Sequence, residues 1–419
     1  MLSVATLIRR SPVVCRASRS FVRYRGFVVI DTAVDEATLV SRAVALVPLL
    51  REHADEAERI GRLPDVEIEA FRDAGFFTAM RPKETGGSAI GFSAFIDIVR
   101  ALSRGDASAG WVAAFLMSHE WLLSRLNASA QAEVFADGPA LAAAVAAPPG
   151  TAVPVDGGYR VTGRWRFASA VLHSKWIVVA AAGAEGPLAV ISKVADGEVL
   201  DTWHVPGMKA TGSTDFVLDD VFIPQHRVTD FIKYSSREND GAALYPSYAA
   251  LQYPMYRVLS LIHGAVAVGT AEGALELFPQ LMAKRIRPAS GVPYLEEPEA
   301  HAAYGRAAQE ALVAGLLLDD AVSRTERLYA PGTAEPSMDE RAKLNLDVAA
   351  SGVEAFKAVD TLIQAAGASV LRDGADYDRI ARNTLVMRNH TTLDWRHAQV
   401  LAGRVLLGQG LGAHAEAMY

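Results

Sequence analysis

Residues 158–176 read GYRVTGRWRFASAVLHSKW, and residues 159–169 alternate in character with a period of two. This period, after a two-glycine turn at 157–158, predicts a strand with one buried face. Trp165, Phe167 and Ser169 fall on the same predicted face, so two aromatic rings and a hydroxyl could lie against a flat ligand. The alternative is an ordinary strand whose aromatic residues belong to the core of a β-barrel.

Composition limits the classes of function that the chain can have. The 419 residues are 51% hydrophobic and 21% charged, which is enough apolar sequence for two or three domains. The formal net charge of −7 leaves no basic stripe for phosphates, so a nucleic-acid partner is not expected. Cys15 is the single cysteine, which excludes internal disulfides and thiolate metal clusters. No metal site is predicted, and no membrane partner is expected because no apolar run approaches the length of a span.

The first 32 residues form a basic extension with six arginines and no acid before Asp31. Starts that are rich in arginine and serine and poor in acids are typical of organellar targeting segments. The alternative is a disordered basic arm or an over-long start, and we favour it because helical patterning begins only near Asp35. The expected location is therefore the cytoplasm, with an organelle as the alternative.

Helical, strand and helical patterns follow one another along the rest of the chain, which predicts an α+β protein. Pro148-Pro149-Gly150 is expected to end the first helical block, and the polar segment 230–254 is expected to be a surface loop. The last helix is predicted to run from Tyr377 to Leu407. The predicted parts are an N-terminal helical domain at 33–148, a β-barrel or sandwich domain at 149–240, and a C-terminal helical bundle at 241–419.

Four segments in this order resemble motifs of the acyl-CoA dehydrogenase superfamily. GDAS at 105–108, before Trp111, resembles the start of one of its helices, and GMKATGS at 207–213 resembles a loop of its β-domain. VLDDVFIP at 217–224 and GAVAVGTAEGALEL at 264–277 are similar to the next strand and to the first helix of its C-terminal bundle. The resemblance covers nearly all of 35–408 and implies that family's fold, with a C-terminal four-helix bundle.

Two further segments resemble the oxygenase components of two-component flavin monooxygenases. Many dehydrogenases of the superfamily carry a glutamate base where this chain has RNTLVMRNHTT at 382–392, which lacks the glutamate and has His390 beside its expected place. FASAVLHSKW at 167–176 is similar to the FSSGxDHxxW segment of those oxygenases, although Leu172 replaces the aspartate. The segment 144–148 lacks the serines that often border a phenol in such relatives.

This resemblance implies an oxygenase that takes reduced FMN or FAD from a separate flavin reductase. Oxygen would react at the flavin C4a carbon to give a hydroperoxide, which would hydroxylate, or N- or S-oxygenate, a small aromatic substrate. Two alternatives remain open. One is a dehydrogenase or oxidase with a different base, and the other is a catalytically silent flavin-binding relative.

The resemblance also implies roles for individual residues. His390 would stabilise the peroxide or deprotonate the substrate, because an imidazole titrates near neutral pH, and Asp394 at i+4 would orient it. Ser169 would bond flavin N5. A core histidine and a strand-end serine are the structural alternatives. The implied flavin contacts are Trp165, Phe167, Ser169, Lys209, Ser213, Arg285, Gly367 and Ser369, and the implied substrate contacts are His119, His173 and Trp176.

Assembly and electron supply follow from two more observations. The segment 364–369, QAAGAS, resembles one that meets the flavin of a neighbouring subunit, which implies a homotetramer. No strand is followed by GxGxxG and a helix, so no nicotinamide site is expected. This absence fits the separate flavin reductase that the resemblance implies.

Overall fold

The computed structural model describes residues 34–283, 285–286 and 291–410, so the basic extension and Cys15 lie outside the described residues. The first five helices precede the sheet. Asp106 begins the fourth of them as predicted, because its carboxylate accepts a hydrogen bond from the Ala109 N–H at 2.9 Å. That helix is buried along almost its whole length, which makes it the central element of the N-terminal part. The helices are α1 (Glu36–Ile60), α2 (Asp65–Asp73), α3 (Phe92–Ser103), α4 (Ala107–Leu123) and α5 (Ala128–Val134).

Seven strands follow and form one sheet in the order β5-β6-β2-β1-β3-β4-β7, antiparallel except for the β1–β3 pair. The expected end of the helical block at Pro148-Pro149-Gly150 is wrong, because these residues lie inside the first strand. The register of β1 against β3 shifts between Val145 and Gly150, and a strand tolerates proline at such an irregularity. The strands are β1 (Ala142–Val155), β2 (Gly158–Ala168), β3 (Trp176–Ala182), β4 (Pro187–Lys193), β5 (Glu198–Leu200), β6 (Thr214–Pro224) and β7 (Val228–Asp230).

The predicted shared face of Trp165 and Phe167 is wrong. Trp165 is fully buried in the core of the sheet, where its Nε1 donates to the Ala180 carbonyl at 2.8 Å. Phe167 points outward and is 65% exposed. The strand register shifts between Trp165 and Ala168, and Phe167 has a φ of +63°, so the alternation ends two residues before Ser169. Trp165 is therefore a core residue and is removed from the flavin contacts.

Helices return after the sheet, and α10 packs against α8, α9 and α12 as the centre of the bundle. The single last helix predicted from Tyr377 to Leu407 is wrong, because the chain breaks it at 388–394 and Asp394 caps a separate helix. The predicted surface loop at 230–254 contains two short helices. The helices are α6 (Phe231–Ser235), α7 (Asp240–Leu244), α8 (Met255–Met282), α9 (Pro298–Leu328), α10 (Met338–Ala366), α11 (Asp376–Met387) and α12 (Trp395–Leu406).

The glycine pattern of α8 allows this helix to lie very close to α3. A Cβ atom at Gly269 would stand 2.2 Å from the Arg100 carbonyl oxygen, and one at Gly273 would stand 2.4 Å from that of Arg104. Within the described part of the chain, α8 is the one helix that is both long enough and apolar enough to cross a membrane. Yet 83% of its most apolar window is buried inside the protein. Its apolar surface therefore belongs to the core.

Glu67 on α2 is a buried acid whose two carboxylate oxygens have no hydrogen-bond partner. Burial, with the nearby charges of Asp106 and Glu56, raises its pKa to about 9. The folded state thus binds a proton that the unfolded state releases above its ordinary pKa of 4.5. Stability is consequently lost as pH rises from 4.5 towards 9.

We therefore expect Glu67→Gln, which is neutral at every pH, to raise the free energy of unfolding at pH 8 by about 2 kcal/mol. At pH 4.5 the same substitution should have little effect. Urea unfolding at both pH values measures the difference, and Glu69→Gln on the solvent side of the same helix is the matched control. An equal effect of Glu67→Gln at both pH values would contradict the buried, protonated state.

Candidate active site

Five rings meet where α4, α8 and the break after α11 come together. Helix α4 supplies Trp111, Phe115 and His119, which lie on one helical face because they are spaced by four residues. Helix α8 supplies His263, and the break supplies His390. The centroid distances are 4.6 Å for Trp111–His263, 5.4 Å for Trp111–His390 and 5.2 Å for Phe115–His119. We call these five residues the ring cluster.

His390 stacks on His263 at 4.0 Å, with an angle of 22° between the rings. Its Nδ1 accepts from the backbone N–H of Thr392 at 3.4 Å and lies 2.8 Å from the Thr392 hydroxyl. We therefore assign the proton of the neutral ring to Nε2, which makes Nε2 a donor. Burial lowers the pKa of His390 to about 4, so the expected titration near neutral pH is wrong.

The expected orientation of His390 by Asp394 is also wrong. Asp394 accepts from the backbone N–H of His397 at 3.0 Å and begins α12, and Thr392 is the residue that bonds the His390 ring. The prediction placed His390 and Asp394 one turn apart on a regular helix. The helix instead ends at Met387, and the two side chains face different elements.

His119 carries its proton on the opposite ring nitrogen from His390. Its Nδ1 lies 2.7 Å from the Ala142 carbonyl oxygen, so Nδ1 carries the proton and Nε2 is left as an acceptor. Burial lowers the pKa of His119 to about 4, which keeps the ring neutral at pH 7. The ring cluster thus presents one donor and one acceptor from neutral imidazoles.

His263 is the residue of the ring cluster that the sequence interpretation missed. It is 2% exposed, and neither ring nitrogen has a partner with hydrogen-bond geometry. Its pKa lies well below the ordinary value because of burial and the nearby His390, although the Leu259 carbonyl one turn back acts in the other direction. The available signal was a lone imidazole in an apolar helix, immediately before the glycine-rich motif at 264–277.

Ser169 joins the β-domain to the ring cluster. Its hydroxyl oxygen lies 3.3 Å from Trp111 Nε1 and 2.7 Å from the hydroxyl of Ser213. Phe167 lies two residues earlier, and its exposed ring meets Trp203 edge-on at 6.1 Å. The structure therefore brings together Phe167, Ser169 and Ser213, three of the residues expected at the flavin.

A cavity of about 1000 Å³ lies between the end of α1 and the sheet, with Trp203, Leu172 and Gly212 in its wall. Lys209 also lines it, but the Lys209 ammonium pairs with Glu58 of α1 at 3.3 Å. Lys209 is thus committed to an ion pair within the chain. Its expected role at the flavin stays a prediction.

His173 and Trp176 lie outside the ring cluster. His173 Nε2 accepts from the Leu63 backbone N–H at 3.2 Å, and burial lowers the pKa of this histidine to about 4. Trp176 lies beneath two cations, with Arg227 at 5.0 Å and Lys193 at 5.7 Å from its ring centroid. Both side chains contact other elements of the fold, and their expected role as substrate contacts stays a prediction.

Arg285, Gly367 and Ser369, three more of the residues expected at the flavin, form a second group. The Arg285 guanidinium donates to the Ala366 carbonyl and to the Ser369 hydroxyl, and Gly367 between them has a φ of +74°. His263 and Met282 are 19 residues apart on α8, which corresponds to about 29 Å at 1.5 Å per residue. Arg285 follows Met282, so this group lies near the opposite end of α8 from His263.

The buried histidines predict how stability changes with pH. Burial lowers the pKa values of His119, His173, His263 and His390. Below pH 6.5 these histidines are therefore protonated in the unfolded chain but still neutral in the folded chain. Stability should fall by about 1 kcal/mol or more per histidine as pH drops from 6.5 to 5, a window above the ordinary carboxylate pKa values.

Glu67 and Glu120 act in the opposite direction over the same window, because their raised pKa values let the folded chain bind protons there. Urea midpoints at several pH values are therefore compared between the wild-type chain and His390→Asn, in which the histidine contribution to the slope should be smaller. An identical pH dependence in the two proteins would contradict the neutral state of His390.

The chain shows clear similarity to known proteins over most of its length. Residues 45–134 match the family model of the acyl-CoA dehydrogenase N-terminal domain, and residues 261–395 match that of an acyl-CoA dehydrogenase C-terminal domain. The crystal structure of the HsaA monooxygenase from M. tuberculosis superimposes with a TM-score of 0.84 at 29% identity, covering 92% of this chain and 100% of that one.

Two curated relatives narrow the assignment. A pigment production hydroxylase from Rhodococcus sp. is 32% identical, over 89% of this chain and 97% of the relative. The oxygenase component of the FADH2-dependent resorcinol hydroxylase from Rhizobium sp. is 30% identical, over 88% and 94%. The chain belongs to the acyl-CoA dehydrogenase superfamily and, within it, to the oxygenase components of flavin-dependent monooxygenases. The inferred resemblance, fold and class of enzyme are thereby confirmed.

Proposed function

We propose that the chain uses a reduced flavin, supplied by a separate reductase, to oxygenate a small aromatic substrate that carries an O–H or N–H group. The observation that carries this proposal is the ring cluster with Ser169 bonded to its edge. It combines an apolar enclosure, one imidazole donor and one imidazole acceptor in a single place. The named activities of the resorcinol hydroxylase component and of the other relatives support the same class of reaction.

The residues present fit a reduced flavin. The Ser169 oxygen accepts from Trp111 at the edge of the ring cluster, and Phe167, two residues earlier, offers an exposed ring for a flat cofactor. Bound reduced flavin supplies the two electrons that activate O2. Trp111 and Phe115 exclude water from the place where oxygen must react, which limits the loss of reducing equivalents as peroxide.

The two imidazoles have different hydrogen-bonding roles, one as a donor and one as an acceptor. His390 holds a proton on Nε2 and donates a hydrogen bond to oxygen-derived negative charge. Because the pKa of His390 is about 4, its ring stays neutral at pH 7 and Nε2 remains the donor. His119 Nε2 accepts from the O–H or N–H of the substrate and so orients its ring. The alanine-rich start of β1 borders His119, which favours an aromatic ring with few polar groups on that side.

Assembly would complete the cofactor site. Arg285 follows the far end of α8 from His263 and bonds Ser369, so the group of Arg285, Gly367 and Ser369 would serve the flavin of a neighbouring copy in a homotetramer. Exposed leucines on the bundle support such a contact, with Leu312 at 54% and Leu316 at 59% exposure on α9. We propose that the enzyme and its reductase are both in the cytoplasm, because reduced flavin must diffuse from one protein to the other.

Oxygen-isotope incorporation tests this function. The full chain is mixed with ¹⁸O2, chemically reduced FMN or FAD, and resorcinol, 4-hydroxyphenylacetate or indole in turn. We expect a product that has gained one ¹⁸O atom, with no activity when NADH replaces the reduced flavin. Peroxide alone with every substrate, together with flavin bleaching by an acyl thioester without oxygen, would instead support a dehydrogenase.

A further inference from the structure

A chain of three hydroxyl groups runs away from the active site into the loop at 207–213. The Ser169 and Ser213 oxygens are 2.7 Å apart, and those of Ser213 and Thr211 are also 2.7 Å apart. The Thr211 hydroxyl then lies 2.8 Å from the Met208 carbonyl oxygen. Three O···O contacts thus connect three hydroxyls to one carbonyl, and we call this arrangement the hydroxyl chain.

The carbonyl end fixes the direction of every proton in the hydroxyl chain. Each short O···O contact needs one hydrogen between the two oxygens, and a carbonyl oxygen can only accept. Thr211 must therefore donate to Met208, Ser213 to Thr211, and Ser169 to Ser213. Ser169 has no proton left for the active site, because a hydroxyl carries only one.

What remains on Ser169 are two oxygen lone pairs. One accepts from Trp111 Nε1–H at 3.3 Å, and the other remains to accept a hydrogen bond from a ligand. A reduced flavin carries a hydrogen on N5 and donates from that atom, whereas N5 of an oxidised flavin can only accept. An acceptor on the protein therefore bonds N5 of the reduced cofactor and repels N5 of the oxidised one.

We propose that Ser213 and Thr211 are positioning residues that hold the Ser169 hydroxyl as an obligate acceptor and so make the site prefer reduced over oxidised flavin. This proposal rests on the proposed function, since it assumes that flavin N5 meets Ser169. It explains how an enzyme without its own electron donor can capture reduced flavin and release the oxidised product. No proton needs to move along the hydroxyl chain for this preference.

The surrounding loop holds the hydroxyl chain in place. Thr211 and Ser213 are 2% and 4% exposed, so water cannot supply alternative partners. The Met208 N–H donates to the Asn383 side chain at 2.6 Å, and a Cβ at Gly207 would stand 2.0 Å from the Arg382 carbonyl oxygen, so the loop is pressed against α11. Met208 itself has a φ of +54°, a conformation that persists only where its surroundings enforce it.

The test is the relative affinity of the two flavin redox states. Dissociation constants of the full-length protein for oxidised and reduced FMN and FAD are measured anaerobically, and the midpoint potential of the bound flavin is measured independently. In Ser213→Ala and in Thr211→Val, the preference for reduced flavin should fall about tenfold, because Ser169 becomes free to donate. For a two-electron couple, this corresponds to a potential about 30 mV more negative.

Two matched variants should keep the wild-type preference. Thr211→Ser retains the hydroxyl, and Thr214→Val removes a neighbouring buried hydroxyl that has no hydrogen-bond partner. An unchanged preference in both Ser213→Ala and Thr211→Val would overturn the proposal while leaving the oxygenase function intact. Failure of the wild-type protein to bind flavin in either redox state would overturn both. An equal loss of the preference for reduced flavin in Thr214→Val would also overturn the proposal, since it would indicate a general loosening of the loop.

Discussion

Replacement of His390 by alanine is expected to lower the rate of substrate oxygenation about 100-fold while the oxidation of reduced flavin by O2 continues. The Nε2–H of His390 is the donor that the ring cluster offers to developing negative charge, and removing one such donor typically costs 10²- to 10³-fold. Product and hydrogen peroxide are quantified together after addition of a known amount of reduced flavin. The lost product should reappear as peroxide.

A control separates this effect from the general loss of a histidine. His53→Ala removes a histidine from the half-exposed side of α1, where it approaches Glu56 at 3.4 Å, and should leave the product yield unchanged. His390→Asn can keep a side-chain donor and should recover part of the yield. Full coupling of flavin oxidation to product in His390→Ala would show that the imidazole is only a packing residue.

Replacement of His263 by leucine is expected to stabilise the protein by about 1 kcal/mol and to lower oxygenation more than tenfold. The ring is fully buried and neither nitrogen has a partner, so the folded state bears a desolvation cost that leucine removes. The stack on His390 at 4.0 Å is lost at the same time, which frees the His390 ring to move. Urea unfolding and product yield measure the two effects.

His119→Leu is the matched comparison, because it also exchanges a buried imidazole for leucine. Here the ring does have a partner, and the substitution leaves the Ala142 carbonyl without its hydrogen bond. We expect a loss of about 2 kcal/mol in the free energy of unfolding. Opposite signs for the two substitutions would identify His263 as a residue kept for function at a cost in stability. A loss of stability in both would contradict that view.

The order of domains and the class of enzyme were predictable because they depend on long periodic segments and on motifs. The segments at 105–108, 207–213 and 264–277 resemble motifs of the superfamily and led to the right fold. The structure supplies a physical reason for two of them, which are the cap at Asp106 and the close approach of the α8 glycines to α3. Ser169, His390 and His119 were inferred from resemblance, and the structure brings all three to one place. Their roles remain predictions for the variants described above.

The errors occurred where one residue interrupts a regular pattern. The φ of +63° at Phe167 ended the alternation that placed Trp165 beside the ligand, and the break after Met387 separated Asp394 from His390. Neither irregularity leaves a glycine or proline in the sequence to mark it. His263 was missed because its meaning depends on His390, which is 127 positions later in the chain. The lone imidazole in an apolar helix marked the position, but nothing local to it indicated the contact with His390.

The most direct measurement is the reaction of the anaerobically reduced protein–flavin complex with oxygenated buffer in a stopped-flow spectrophotometer, with FMN and FAD in turn. We predict a transient absorbance in the near ultraviolet that precedes the return of oxidised flavin and that decays faster in His390→Ala. The flavin that gives the longer-lived transient is the preferred cofactor. Direct reoxidation without a transient, at the rate of free flavin, would contradict the assignment of this chain as an oxygenase.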